Sequence, residues 1–166
     1  MAMRAVERAS VRDLRDVDIF TRLADSDLEE IARYCEQDTY AAGEYCALQG
    51  DTTEELHIVK EGKVAVEMRI DVAPYTQTVN IATLGRGKVV AWSALVEPNI
   101  LTASVKCLER TQVINIKASH LQRVFKERPW VEATVMRNLA VVISSRLRDS
   151  RAQLVSLIAE MIKQGK

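Results

Sequence analysis

The chain has 166 residues, 48% of them hydrophobic and 28% charged, enough for one domain with a real core and a helical appendage. Its 23 Lys and Arg balance its 23 Asp and Glu, so no bulk charge steers it toward nucleic acid or an anionic membrane, and no direct DNA binding is expected. Cys35, Cys46 and Cys107 are scattered with no Cys-x-x-Cys pair, which reads as reduced core thiols; the N-terminus is charged throughout, and no apolar run is long enough to span a bilayer, so a cytoplasmic location is expected.

Residues 1–16 read as a charged lead-in, and the stretch to residue 24 closes on the apolar positions Val17, Ile19, Phe20 and Leu23. Ser26-Asp27-Leu28-Glu29 has the S-x-x-E form of a capping box. Leu28, Ile31 and Ala32 follow at helical spacing, so a short helix is expected from about Asp27 to about Cys35. From Thr39 the period becomes two: Leu56 and Ile58, then Val64, Val66, Met68 and Ile70, mark half-buried strands. Glu61-Gly62 suits a tight hairpin and Asp71-Val72-Ala73-Pro74 breaks the next one. Thr78–Leu84, Leu101–Leu108 and Thr111–Ile116 complete roughly eight short strands, the mark of a sandwich, barrel or jelly roll.

Helical spacing returns at Leu121, Val124 and Phe125, and Pro129 suits the first turn of a final helix from Trp130 to about Lys163. Ala140, Leu147, Leu154 and Met161 fall at heptad position a, with Met136, Ile143, Ser150 and Leu157 at d. Only Ser150 of these eight is polar, so the helix is expected to form a parallel coiled coil in a homodimer. The competing reading folds it back on its own domain. The expected architecture is mainly β with flanking helices: a double-stranded β-helix (jelly roll), an N-terminal helix and a long C-terminal dimerisation helix. The expected divisions are the lead-in 1–16, the roll with its short flanking helices at 17–127, and the dimer helix at 128–166.

An ordered set of glycines carries a resemblance. Tyr40-Ala41-Ala42-Gly43-Glu44, Gln49-Gly50-Asp51, the strand Leu56–Lys60 with Glu61-Gly62, and then Leu84-x-x-Gly87 resemble the cyclic-nucleotide-binding domain family from about Val17 to Leu154. The resemblance is to its catabolite-activator-like β-roll, without the helix-turn-helix domain that follows the dimer helix in those regulators. Family members typically hold their ligand in a cassette reading F-G-E-L-A-L, a loop, then P-R-A/T-A-T-V. The Glu accepts from the ribose 2′-hydroxyl, and the Arg with backbone N–H groups holds the cyclic phosphate.

Here the matching stretch is Val90-Ala91-Trp92-Ser93-Ala94-Leu95, then Pro98-Asn99-Ile100-Leu101-Thr102-Ala103-Ser104-Val105. Ala91 stands in place of the Gly, Trp92 of the Glu and Leu101 of the Arg. Some members of the wider family also carry Trp-Ser here. Losing one charge-assisted phosphate contact, worth on the order of 1.5–3 kcal/mol, weakens affinity roughly ten- to a hundredfold. Trp92 is expected to plug the old cavity as core, the competing role being an aromatic platform for another ligand.

The resemblance therefore implies a non-enzymatic regulatory or sensor module with a degenerate cassette, acting through its dimer helix on a partner protein or sensing an unidentified small molecule. If a ligand binds, the candidate residues are Ala91, Trp92, Ser93, Thr102, Ser104 and Ser150. Ser150 joins them because Arg146-Leu147-Arg148-Asp149-Ser150 matches the local pattern by which a hydroxyl on the relatives' dimer helix reaches the base. The alternative is a genuine cyclic AMP or cyclic GMP sensor with non-standard contacts. A cupin-like enzyme is a third reading, but His57 and His120 are the sole histidines, no H-x-H pair exists, and His57 suits a structural role on its strand. No cofactor and no metal are expected.

Overall fold

The computed structural model describes residues 8–164. The first seven residues of the expected lead-in thus lie outside the described residues, but the rest do not. Helix α1 (Val11–Arg15) opens on a reciprocal capping box, in which the Ser10 hydroxyl accepts from the Asp13 N–H and the Ser10 N–H donates to the Asp13 carboxylate. Its Leu14 is fully buried, so this segment belongs to the domain.

Helix α2 (Asp25–Ala32) corrects the box expected at Ser26. It starts two residues earlier, on Ala24 with no side-chain cap, and Ser26 lies inside the first turn. The Ala24 carbonyl accepts from both the Asp27 and Leu28 N–H groups, and two first-turn aspartates complement the helix dipole. Asp25 is also gripped by both bonds of the Arg15 guanidinium.

Seven strands follow among the described residues, one fewer than expected. They are β1 (Glu36–Tyr40), β2 (Tyr45–Ala47), β3 (Glu55–Glu61), β4 (Val64–Val72), β5 (Tyr75–Leu84), β6 (Ser104–Cys107) and β7 (Thr111–Lys117). They form two antiparallel sheets, in the orders β1-β7-β3 and β2-β6-β4-β5. The long run expected at Leu101–Leu108 narrows to four residues, because its first half turns back to bond the 49–53 loop. Gly50 donates to the Leu101 carbonyl, and Leu101 donates to that of Asp51.

Two apolar clusters follow from the faces of these sheets. Leu56 and Ile58 of β3, paired with Ile116 and Ile114 of β7, pack beneath the helices with Phe20, Leu28 and Leu121. Val59, Val64, Val105, Cys107 and Leu101 close the space between the sheets. Strand β3 thus has both faces covered, and His57 shares its interior. Burial holds the His57 pKa below the usual imidazole range, against the opposing charge of Asp38. Burial likewise pushes the Cys35 and Cys46 thiols up to about 12, which leaves them poor nucleophiles. The outer half of the β4–β5 hairpin projects beyond both clusters, with Val72 and Tyr75 exposed.

Helix α3 (Ala118–Glu127) leads into α4 (Pro129–Gln164), 36 residues and about 54 Å long. The base of α4 is latched to α2. Asp27, 4% exposed, accepts from the Arg128 guanidinium at 2.7 Å and from the Trp130 indole N–H at 3.1 and 3.2 Å. Val131, Val135, Leu139 and Val142 then bury one stripe against the roll. From Leu147 to Lys163 every side chain is exposed, and among the described residues the last tether to the roll is the Gln153 amide donating to the Ile81 carbonyl at 3.1 Å. No helix among the described residues is long and apolar enough to cross a membrane.

Candidate ligand pocket

The stretch matching the cassette leaves the edge of β3, where Val90 donates to the His57 carbonyl at 2.9 Å, and tightens into a 3₁₀ turn at Trp92–Leu95. Asn99 closes that turn. It sits at φ 62°, a left-handed conformation Asn tolerates better than most side chains, and its amide donates to the Ser93 and Ala94 carbonyls at 2.9 and 3.1 Å. The carbonyls a short turn leaves open are thereby satisfied by one side chain.

Between this turn, strands β4–β6 and helix α4 lies a cavity of about 260 Å³. Trp92, Leu101, Val66 and Met68 form apolar walls, and Ile143, Arg146, Leu147 and Ser150 face it from α4. The expected plug is therefore corrected: half-buried Trp92 is a wall, drawn aside by packing against the cluster under the helices. Leu101, 7% exposed, takes part in the inter-sheet core as well as the cavity wall. The position matching the family's arginine thus contributes apolar surface.

Of the residues singled out from sequence, Trp92, Ser93, Thr102 and Ser150 border the cavity. Ala91 lies buried ahead of the turn. Ser104 does not border it: its hydroxyl accepts from the Gln49 N–H at 2.9 Å, and Gln49 in turn exchanges two bonds with the backbone of Arg69. This serine fastens the 49–53 loop to the β4–β6 sheet.

Sequence reasoning missed Arg146 and Asp149 as pocket residues, although both stand in the segment quoted for Ser150. The Arg146 guanidinium lies 6.0 Å from the centre of the Trp92 ring, within reach of a cation–π contact. Burial lowers its pKa, and the charges of Asp18 and Asp149 work the other way. It forms no salt bridge or hydrogen bond among the described residues. Asp18 has its own pKa raised by burial, while its bond from the Val89 N–H and the charge of Lys88 oppose that rise. Among the described residues no three His, Cys, Asp or Glu side chains converge to hold a metal.

A double-sheeted antiparallel roll whose Trp92–Leu95 turn, together with a long helix, borders an apolar pocket defines a domain of the β-roll class. The chain belongs to the cyclic nucleotide-binding domain family, whose profile matches residues 37–128, more than half of its length. It is 28% identical over 122 residues to the cyclic nucleotide-gated channel alpha-4 of Mus musculus, covering 74% of this chain and 21% of the channel. It is 25% identical over 136 residues to the cyclic AMP receptor protein of Thermus thermophilus, covering 82% of this chain and 60% of the receptor. A solved cyclic nucleotide-binding domain from Methylobacillus flagellatus shares the fold at a TM-score of 0.75 and 16% identity, over 88% of this chain and 80% of that one. The chain thus spans about a fifth of the channel and under two thirds of the receptor.

Proposed function

We propose that the chain is a non-enzymatic sensor module whose cassette no longer grips a cyclic phosphate and whose signal leaves through α4. The observation that carries this reading is the 260 Å³ cavity itself, with Leu101 in place of the phosphate arginine and an indole in place of the ribose acceptor. Calorimetry with cyclic AMP and cyclic GMP is expected to show no binding at micromolar concentrations. Micromolar affinity for either would overturn the reading. It would favour a cyclic-nucleotide sensor using Thr102 and Ser150, in which case Thr102→Val should remove the affinity.

Dimerisation through α4 is part of the same proposal. Met136, Ile143, Leu147, Leu154, Leu157 and Met161 of the heptad strip are all exposed, Met161 at 72%. They lie on a strip adjacent to the buried stripe at Val131–Val142, and beyond the pocket that strip faces away from the core. Sedimentation at tens of micromolar is expected to give a dimer, and Leu147→Asp with Leu154→Asp to give a monomer. A wild-type monomer at that concentration rules out the coiled coil. Ile143, Leu147 and Ser150 border the pocket and also belong to the seam, so ligand and pairing would be read by the same residues.

A further inference from the structure

Next to the Trp92 pocket, between α4 and the α1–α2 corner, runs a second and larger cleft of about 780 Å³. Ile81, Ala82, Arg146 and Asp149 border both spaces, which makes them two ends of one site. Arg22, Lys88, Arg137 and Arg146 face the cleft against two carboxylates, Asp18 and Asp149. That is a local excess of two positive charges in a chain whose net charge is zero. Among the described residues no side-chain hydrogen bond or close ion pair engages the four cations, although the charges of Asp18, on Lys88 and Arg146, and of Asp149, on Arg146, act on two of them.

The walls are held before any ligand arrives. The Asn138 amide donates to the Ile19 and Thr21 carbonyls at 3.1 and 2.8 Å, pinning α4 to the α1–α2 corner, while Gln153 pins it to Ile81 at the other end. Such pre-organisation reduces the ordering cost of binding. The two spaces also differ in chemistry: one offers an indole and aliphatic walls to a flat ring, the other a spread of cations. A cyclic monophosphate has a single charge to give them. A chain of phosphates has several, and it can extend from the pocket past Arg146 toward Arg137 and Lys88.

We propose that the cleft is a phosphate-binding site and that the ligand is a nucleotide with a linear di- or triphosphate, its base against Trp92 and its phosphates on Arg146, Arg137, Lys88 and Arg22. The base half rests on the pocket reading above; the phosphate half stands on the cleft alone.

Calorimetric titration of the whole chain with ATP, GTP and inorganic tripolyphosphate separates the two halves. Tripolyphosphate is expected to bind weakly and with strong salt dependence, and one of the nucleotides at least about tenfold more tightly. Arg146→Ala should weaken the nucleotide roughly ten- to a hundredfold. Arg137→Ala and Lys88→Ala, both on exposed positions, should each weaken nucleotide and tripolyphosphate severalfold with circular dichroism unchanged. Ala103→Trp, which fills the pocket, should erase the nucleotide's advantage and leave tripolyphosphate binding intact. No binding of tripolyphosphate or either nucleotide overturns the cleft while leaving the pocket untouched. Nucleotides that bind no better than tripolyphosphate overturn the placement of the base. Micromolar binding of a cyclic nucleotide bears instead on the cassette reading.

Discussion

Gly62→Ala is expected to destabilise the protein by about 2–5 kcal/mol. Gly62 sits at φ +92°, and a Cβ there would meet the Arg110 carbonyl oxygen at 2.8 Å and the Thr111 Cα at 2.9 Å. Both are backbone atoms, one at the end of the β6–β7 connection and one at the start of β7. Thr111 is itself fully buried, its hydroxyl bonded to the Glu109 carbonyl at 2.8 Å, so the neighbour has no room to retreat. The left-handed conformation costs an alanine roughly 1–2 kcal/mol and overpacking against fixed atoms about 1–3 more. Gly43 is the matched control: its φ is +89°, but a Cβ there meets nothing within 4 Å, so Gly43→Ala should lose only the conformational part. Urea midpoints for the two variants test this directly. Equal shifts would mean the contact with Thr111 relaxes freely and the steric argument fails.

Asp27→Ala is expected to cost about 2–3 kcal/mol and to loosen the first turn of α4. The Asp27 carboxylate is 6% exposed and holds the Arg128 guanidinium at 2.7 Å as well as the Trp130 indole. Removing one partner of a fully buried pair costs ~3–5 kcal/mol. Here the Arg128 side chain is 27% exposed and can turn part of its charge to water, which lowers the expected loss. Asp27→Asn keeps an acceptor for the indole and should fall between wild type and Ala. The chain has two tryptophans, so in a Trp92→Phe background the emission of Trp130 reports the latch alone. A loss below about 0.5 kcal/mol with unchanged Trp130 emission would put the pair among surface ion pairs and remove its role.

The roll was legible because its corners impose chemistry on single residues. Gly43, Gly50, Gly62 and Gly87 all adopt positive φ, and few side chains other than hydrogen serve there, so their spacing survives as a readable signature. The alternation of Leu56 and Ile58, and of Val64 and Val66, was readable for the same local reason. Tertiary bonds decided what the sequence concealed. Ser26 looks like a cap, but Asp27 is claimed by Arg128 and Trp130 a hundred residues away, and the helix begins earlier. The cassette substitutions at Trp92 and Leu101 were visible as a loss. What stands opposite them was not, because Arg146 reaches the indole only once α4 has docked. Ser104 likewise reads as a ligand residue in sequence, whereas its hydroxyl is committed to the Gln49 N–H.

The latch also has a mechanical consequence. Helix α4 is clamped at Asp27 and tied as far as Gln153, while its described length beyond Gln153 is exposed. From Trp130 to Lys163 the axis runs about 50 Å, so a tilt of about 5° at the base sweeps the far turn through roughly 4 Å. Trp92 and Leu101 stand across the cavity from this lever partway along, opposite Ile143 to Ser150. A shift at the pocket is therefore roughly doubled by the time it reaches the last turn of the helix.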